Sequence, residues 1–410
     1  MTDKKTGVSL SKLDRSTWQT VRLGDVCEII SGGTPATHVP EYWDGDIPWL
    51  SVVDFNTGNK YVTKTEKSIS EAGLQNSSTH LLNTNEIIIS ARGTVGVLSI
   101  LSKPMAFNQS CFGLCADSCV CDSDFLYYAM NASIAQMRQN STMGVFSALT
   151  YQGLKSLSFL LPSHAMQKQI SHSLSAIDAQ ISALRRLIAK QEAIKKATLK
   201  LLLELTVETR LVSIGEAFEI SGGLSASRAD LGNTGLCYLH YGDIHAANKT
   251  TVDTETDYSR IPKIDIPLSK VSSASLLEDG DVVFVDASED DEGTSRYIVV
   301  RNAKKIPFVA GLHTIVAKQK AGLFDKGFLT HVFSSRFVKS QFVHYAVGTK
   351  VSGVNKKSIQ NILVPCPPIE RQEQIGKQLA AITAISFPLQ AELVKAQDIK
   401  QGMMRYFFGD

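Results

Sequence analysis

Twice along the chain the spacing of apolar residues changes character, each time just after a proline. Up to Pro162, and again between 212 and Pro365, apolar residues fall in short runs broken by Gly, Asn, Asp and Ser. Runs such as 86–90, 95–101, 281–285 and 297–300 predict β-strands, while 125–137 and 328–345 have helical spacing. Each stretch therefore predicts a compact mixed α/β domain. Beyond Pro162 the pattern becomes that of one long helix. Ile170, Leu174, Ile177, Ile181, Leu184 and Ile188 alternate at spacings of four and three, the seam of a coiled coil. Beyond Pro365 a similar stripe holds Ile375, Leu379, Ile382, Leu389 and Leu393, with Pro388 inside it. An interior proline costs about 3 kcal/mol and is expected to kink or split this second helix.

The two halves are copies of one another. Val21–Gly33 recurs as Val212–Gly223, with Gly24 on Gly215, Glu28 on Glu219 and Gly32-Gly33 on Gly222-Gly223; on this reading the first copy has one extra isoleucine. Ile47–Asp54 matches Leu236–Asp243, Glu86–Ile89 matches Asp281–Phe284, and Phe125-Leu126 matches Phe328-Leu329. A period of this size is a duplicated domain with its linker rather than a solenoid. The expected organisation is an N-terminal extension (1–16), a first domain (17–162), a first helix (163–210), a second domain (211–365) and a second helix (366–410). A stripe left by one copy is most simply buried by the stripe of the other.

Composition narrows the function classes. The chain has 410 residues, 43% hydrophobic and 20% charged, with a net charge of +2. By segment the charge is uneven: 17–162 carries −4 and 163–210 carries +4. The first domain is thus no indiscriminate phosphate clamp. No apolar run reaches the ~18 residues of a membrane span, and the polar first residues lack the core of a secretory signal, so a cytoplasmic location and no membrane partner are expected. Cys111, Cys115, Cys119 and Cys121 crowd together without a CxxC pair, which favours buried thiols over zinc. Phosphate-loop, nucleophile-elbow and HExxH patterns are absent, as is the Asn/Asp-Pro-Pro-aromatic tetrapeptide of amino-methyltransferases, so no catalytic residue and no metal ligand is expected. Glu289–Glu292 reads as a solvated acidic loop, since contiguous carboxylates seldom converge on one ion.

The segment Ile30-Ser-Gly-Gly-Thr-Pro35 followed by Tyr42-Trp-Asp-Gly-Asp-Ile-Pro-Trp49 resembles the opening of a target-recognition domain in the specificity (S) subunits of Type I restriction-modification systems. Arg92-Gly-Thr-Val-Gly96 and Phe107-Asn-Gln-Ser110 resemble two later pieces, and Pro367-Pro-Ile-Glu-Arg-Gln372 resembles the start of the family's helical spacer; the first copy keeps Pro162, Gln167 and Ile170 of it. The second domain lacks the Tyr-Trp and Arg-Gly-Thr pieces. The resemblance implies two target-recognition domains separated by two long antiparallel coiled-coil helices with pseudo-two-fold symmetry. Each domain would read one half of a split site in double-stranded DNA. Two methyltransferase (M) subunits, holding S-adenosylmethionine, and restriction (R) subunits, using ATP and magnesium, would be its partners; the chain itself would bind no cofactor and catalyse nothing.

Base edges are matched by Asn, Gln and Arg, and phosphates by Lys and Arg. The candidate DNA-contacting residues are accordingly Thr34, Tyr42, Trp43, Arg92, Thr94, Asn108 and Gln109 in the first domain. In the second they are Lys249, Ser288, Arg296, His313, Lys356 and Lys357, the last two expected in a loop with Lys350. Each has a purely structural alternative: Arg92 an ordinary turn arginine, Asn108 and Gln109 strand caps, Tyr42 and Trp43 internal packing. A coiled-coil scaffold that binds protein but no DNA is the competing function. A helix over 165–205 would span roughly 60 Å at 1.5 Å per residue, more than one turn of DNA.

Overall fold

The computed structural model describes residues 14–140, 148–202, 209–247, 249–288, 295–320, 322–346 and 352–409. Lys350 and the acidic run Glu289–Glu292 lie outside these. Contacts divide the chain into two units, 1–186 with 390–410, and 187–389. The division falls inside both long helices, so each unit owns a portion of each.

The first unit is built on a five-stranded sheet in the order Cys27–Ser31, Cys111–Ala116, Ile87–Ser90, Leu98–Leu101, Tyr61–Val62, parallel only at its last junction. Both faces of this sheet are covered, which is why its central strand reads Ile-Ile-Ile rather than alternating. Ile87 and Ile89 meet Phe125 and Leu126 of the helix Ser123–Asn140. Ile88 points the other way, into a core with Leu50, Leu82, Met105 and Phe107 of a four-stranded sheet. The helix His164–Leu202 starts in this unit, and its Ile170 and Leu174 enter the same core as Phe125 and as Phe407 from the last turn of the helix Ile369–Phe408.

The second unit repeats the plan: Phe218–Gly222, Thr314–Gln319, Val282–Val285, Tyr297–Arg301, Thr251–Asp253 form its five-stranded sheet, again parallel only at the end. Val282 and Phe284 face one core, Val283 the other. Ile375 and Leu379, opening the second long helix, join the first of these cores, with Leu199 and Leu202 packed against it. Within each unit, then, the start of one long helix shares a core with the end of the other, an antiparallel sense. The fold class is mixed α/β, as the pattern predicted.

Strand register corrects the repeat alignment. Ile29 lies opposite Leu114 and Ser31 opposite Phe112; Ile220 lies opposite Ala317 and Gly222 opposite Ile315. The same pairing runs through both copies without an inserted residue. Gly32 therefore corresponds to Gly223, and Gly33 to Leu224, whose N–H groups donate to Phe107 O at 3.0 Å and Ala310 O at 2.7 Å. An extra isoleucine would have turned every following side chain to the opposite face.

Three helical expectations also change. The segment 328–345 is two helices, Lys326–Val332 and Arg336–Tyr345, the second capped by Ser335, whose side chain accepts the Val338 N–H. The second long helix is continuous from Ile369 to Phe408 with Pro388 inside. Pro388 and Ala384, whose carbonyl loses its usual donor, are both on the exposed side, where water can serve the orphan group. Finally, the seam is not one uniform zipper. Ile170, Leu174, Ile375 and Leu379 are sunk in domain cores, whereas Ile188, Ile382, Leu389 and Leu393 are only half-buried. The first turns of each helix anchor it to the preceding domain, because the strand before it delivers them there. An 18-residue window of Ile369–Phe408 reaches a mean hydropathy of 1.2, enough by length and composition alone for a membrane span, but both ends of this helix are committed to protein cores.

Gln167 and Gln372, each 1% exposed, fasten these anchors alike. Gln167 accepts the Asp122 N–H at 2.8 Å and donates to Val120 O and Pro162 O, both at 3.0 Å. Gln372 accepts the Asp325 N–H at 2.9 Å and donates to Leu323 O at 3.0 Å and Pro367 O at 2.8 Å. The glutamine retained in both spacer signatures thus ties the helix to the loop that precedes the domain's own helix.

Candidate DNA interface

In the first unit three turns leave the same end of the five-stranded sheet: 31–34, 91–96 and 108–110. Their closeness follows from pairing, since Ser90 and Ser31 face consecutive residues, Cys111 and Phe112, of one strand. Gly32 is required by this convergence: a Cβ there would sit 2.1 Å from Asn108 O. Thr34 donates its hydroxyl to the Gln109 side-chain oxygen, and Asn108 Oδ1 accepts the Ser110 N–H at 3.1 Å. The Ala91 N–H donates to Ser110 O at 2.8 Å, which sets the Arg92 turn beside them. Gly93 and Gly96 give that turn its positive φ of 72° and 76°. Arg92 and Thr94 are exposed, and Arg92 has no ion pair among the described residues. Thr34, Arg92, Thr94, Asn108 and Gln109 therefore share one corner. Tyr42 and Trp43, at the entry to the strand Trp43–Leu50, are not in these turns, although Trp49 of the same strand donates its indole N–H to Gly33 O at 3.1 Å. The Trp43 ring packs edge-on against Trp49 at 5.2 Å and donates to Ala36 O at 3.2 Å, a structural engagement.

The second unit has the matching corner, with different tenants. His313 occupies the place of Ser110 and Asp286 that of Ala91, as the Asp286 N–H to His313 O bond of 3.2 Å shows. Ser288 pairs with Ser352 through the backbone. Lys356 brings its ammonium against Gly222, where a Cβ would lie 2.6 Å from Nζ. Arg296 donates to His245 O. Lys356 and Lys357 are not in a loop, as expected from the sequence, but open the helix Lys356–Gln360, because Asn355 accepts both the Lys357 and Ser358 N–H groups at 2.9 Å. Lys249 is tied to Asp257 at 2.5 Å, away from this corner.

One cationic surface is assembled from residues far apart in the sequence. An open groove of about 1160 Å³ in the first unit is lined by Lys60, Arg185, Arg186, Lys400 and Arg405. Lys60 pairs with Asp124, and Lys400 with Asp178 at 2.6 Å, but the three arginines have no ion pair among the described residues. The +4 charge of 163–210 was the only trace of it. Of the crowded cysteines Cys119 is exposed, while Cys111 and Cys121 belong to different cores, and burial pushes the thiols of Cys111, Cys115 and Cys121 up to about 12, which works against zinc-binding thiolates.

Residues 15–193 match the family model described as a Type I restriction modification DNA specificity domain. This part of the chain is a Type I restriction-modification DNA specificity domain. It is 27% identical over 187 residues to the MjaIX specificity subunit of Methanocaldococcus jannaschii, and 22% identical over 389 residues to the MjaVIII specificity subunit of the same organism. These matches take in 45% and 89% of the chain, and 42% and 86% of the relatives. In structure it is similar to the S subunit from M. genitalium, at a TM-score of 0.63 and 15% identity over 96% of both chains. A specificity subunit is the non-catalytic member of its complex, in keeping with the lack of catalytic motifs in the sequence.

Proposed function

We propose that this specificity subunit reads a two-part, asymmetric site in double-stranded DNA. The domain 17–162 reads one half and the domain 211–365 the other, while the helical segments 163–210 and 366–410 join them. The observation that carries this reading is the convergence of Thr34, Arg92, Thr94, Asn108 and Gln109 on one sheet end within the family-matching segment. Arg92 would supply a bidentate donor pair for guanine, and Asn108 or Gln109 an adenine match. The arginine-lined groove would supply backbone attraction that the net-acidic first domain lacks. In the second domain Ser288, Arg296, His313 and Lys356 would take the corresponding part, with Lys249 and Lys357 nearer the backbone. M subunits, two by family pattern and carrying S-adenosylmethionine, would methylate adenine at the site so chosen. R subunits with ATP and magnesium would complete a restriction enzyme, and the assembly would work in the cytoplasm. Mapping methylated adenines in the host with and without this gene is the test. A bipartite motif that disappears with the gene supports the reading; marks on short continuous motifs, or none, would overturn it. A protein-binding scaffold instead predicts no gel shift on random duplexes even with the M subunit present.

A further inference from the structure

Around the corner of the second unit stands an aromatic and imidazole cluster that the spacing of the sequence did not announce. Tyr241 opens the short helix Tyr241–Ala246, which His240 caps by accepting the Gly242 N–H on Nδ1 at 3.0 Å. Three imidazoles surround the Tyr241 ring: His240 at 4.6 Å, His313 edge-on at 5.3 Å and His245 edge-on at 6.2 Å. His240 is buried, Tyr241 half-buried and His313 exposed. The cluster is assembled from two strand ends, 240–245 following Leu236–Leu239 and His313 preceding Thr314–Gln319.

His313 holds a φ of +58°, a left-handed conformation that non-glycine residues seldom keep. Its Nδ1 lies 3.2 Å from Asp286 Oδ1. A carboxylate only accepts, so Nδ1 carries the hydrogen of this contact, and in its neutral form the ring presents Nε2 as an acceptor. A side chain 48% exposed gains little packing from being held in this way. Strain kept on an exposed, deliberately oriented side chain is a sign of a binding role.

The geometry points to Tyr241 and His313 as the base-reading pair of the second domain, with His240 and Asp286 as positioning residues. This rests on the DNA-reading function proposed above. An acceptor at Nε2 fits an exocyclic amine in the major groove, that of adenine or cytosine, and the Tyr241 ring supplies an apolar face beside it. The equivalent places in the first unit are Val52, Ser110, Ser51 and Ala91, for Tyr241, His313, His240 and Asp286 in turn. Two domains of one fold thus present unlike chemistry at the same corner, as unequal half-sites require.

The test is genome-wide methylation mapping of the whole subunit co-expressed with its M subunit, as wild type, His313→Gly, Tyr241→Ala and Asp286→Ala. Glycine accepts the positive φ freely, so His313→Gly removes the ring without straining the turn. Discrimination should fall about 5- to 150-fold at one position of one half of the motif, leaving the other half unchanged. Asp286→Ala should relax the same position by less. Thermal melting of the purified chain and binding to duplexes changed at that one base separate lost reading from lost folding. A wild type that writes a two-part motif, with His313→Gly and Tyr241→Ala writing it unaltered, overturns the assignment. A wild type that writes no two-part motif removes the proposed function and this inference together.

Discussion

Replacing Gln372 by leucine keeps the side-chain volume but removes every hydrogen bond that the side chain makes. The structure fixes what is then left behind. The Asp325 N–H loses its acceptor at 2.9 Å, and the carbonyls of Leu323 and Pro367 lose donors at 3.0 and 2.8 Å. The Pro367 bond is fully buried; the other two are partly buried. A stranded buried polar group costs about 1–3 kcal/mol, and a partly wetted bond about 0.5–1.5 kcal/mol. Because the three share one anchor they do not simply add, and a loss of about 2–4 kcal/mol is expected. Urea unfolding followed by circular dichroism, with hydrogen exchange at the Asp325 amide, measures it. Gln167→Leu should act alike on the first unit, releasing the Asp122 amide. A change under about 0.5 kcal/mol for both would show that the glutamines do not fasten the helices.

Other outcomes follow from single features. Gly32→Ala, whose Cβ would lie 2.1 Å from a backbone oxygen, should cost about 3 kcal/mol or abolish folding. Gly222→Ala, which meets only the far end of the flexible Lys356 side chain at 2.6 Å, should cost under about 1 kcal/mol; comparing their melting curves tests this contrast. His331 is buried, and burial with Lys195 and Arg301 nearby lowers its pKa from 6.5 to about 4. Between these values the unfolded chain binds the extra proton, so stability should fall as pH drops from 6.5 to 4, by roughly 2–3 kcal/mol; His331→Phe should flatten that slope in denaturation at several pH values. Arg185→Ala, Arg186→Ala and Arg405→Ala together should weaken DNA binding alike on all sequences and lower the salt slope by up to about 3, as fluorescence anisotropy would read. One extra helical turn, ~5.4 Å, within 170–188 should alter the unread gap by a base pair or two; methylation maps with an unchanged gap would count against the helices as spacers.

Local and periodic signals in the sequence carry much of the fold. The switch to helical spacing after Pro162 and Pro365, the buried isoleucine run and the duplication all reflect short-range rules of burial. What failed depended on partners distant in sequence. Aligning Gly-Gly with Gly-Gly looked natural, yet Leu114 and Ala317 set the register from across the sheet. Pro388 looked disruptive because its exposure was unknown. Ile170 and Leu174 matched the zipper pattern, but a helix delivered by a strand first meets that strand's own core. Of the candidate contacts, those in the turns 31–34, 91–96 and 108–110 converged, while Lys249 was claimed by Asp257 and Trp43 by Trp49. His240 and Tyr241 carried no periodic signal at all, since only the folded turn brings His313 to them.

The two copies differ least where the fold needs them alike. Gln167 and Gln372 hold equivalent loops, and Asp122 and Asp325 cap equivalent helices by accepting the Phe125 and Phe328 N–H groups, each at 2.9 Å. The corner residues differ almost completely: Ser110 against His313, Ala91 against Asp286, Val52 against Tyr241. This division has a physical basis. The corner turns end the strands rather than form them, so their side chains add little to either core. Exchanging them costs little stability, whereas exchanging a buried glutamine does. A duplicated domain of this kind can therefore change what one half reads while its scaffold stays fixed, and the two halves need not read the same bases.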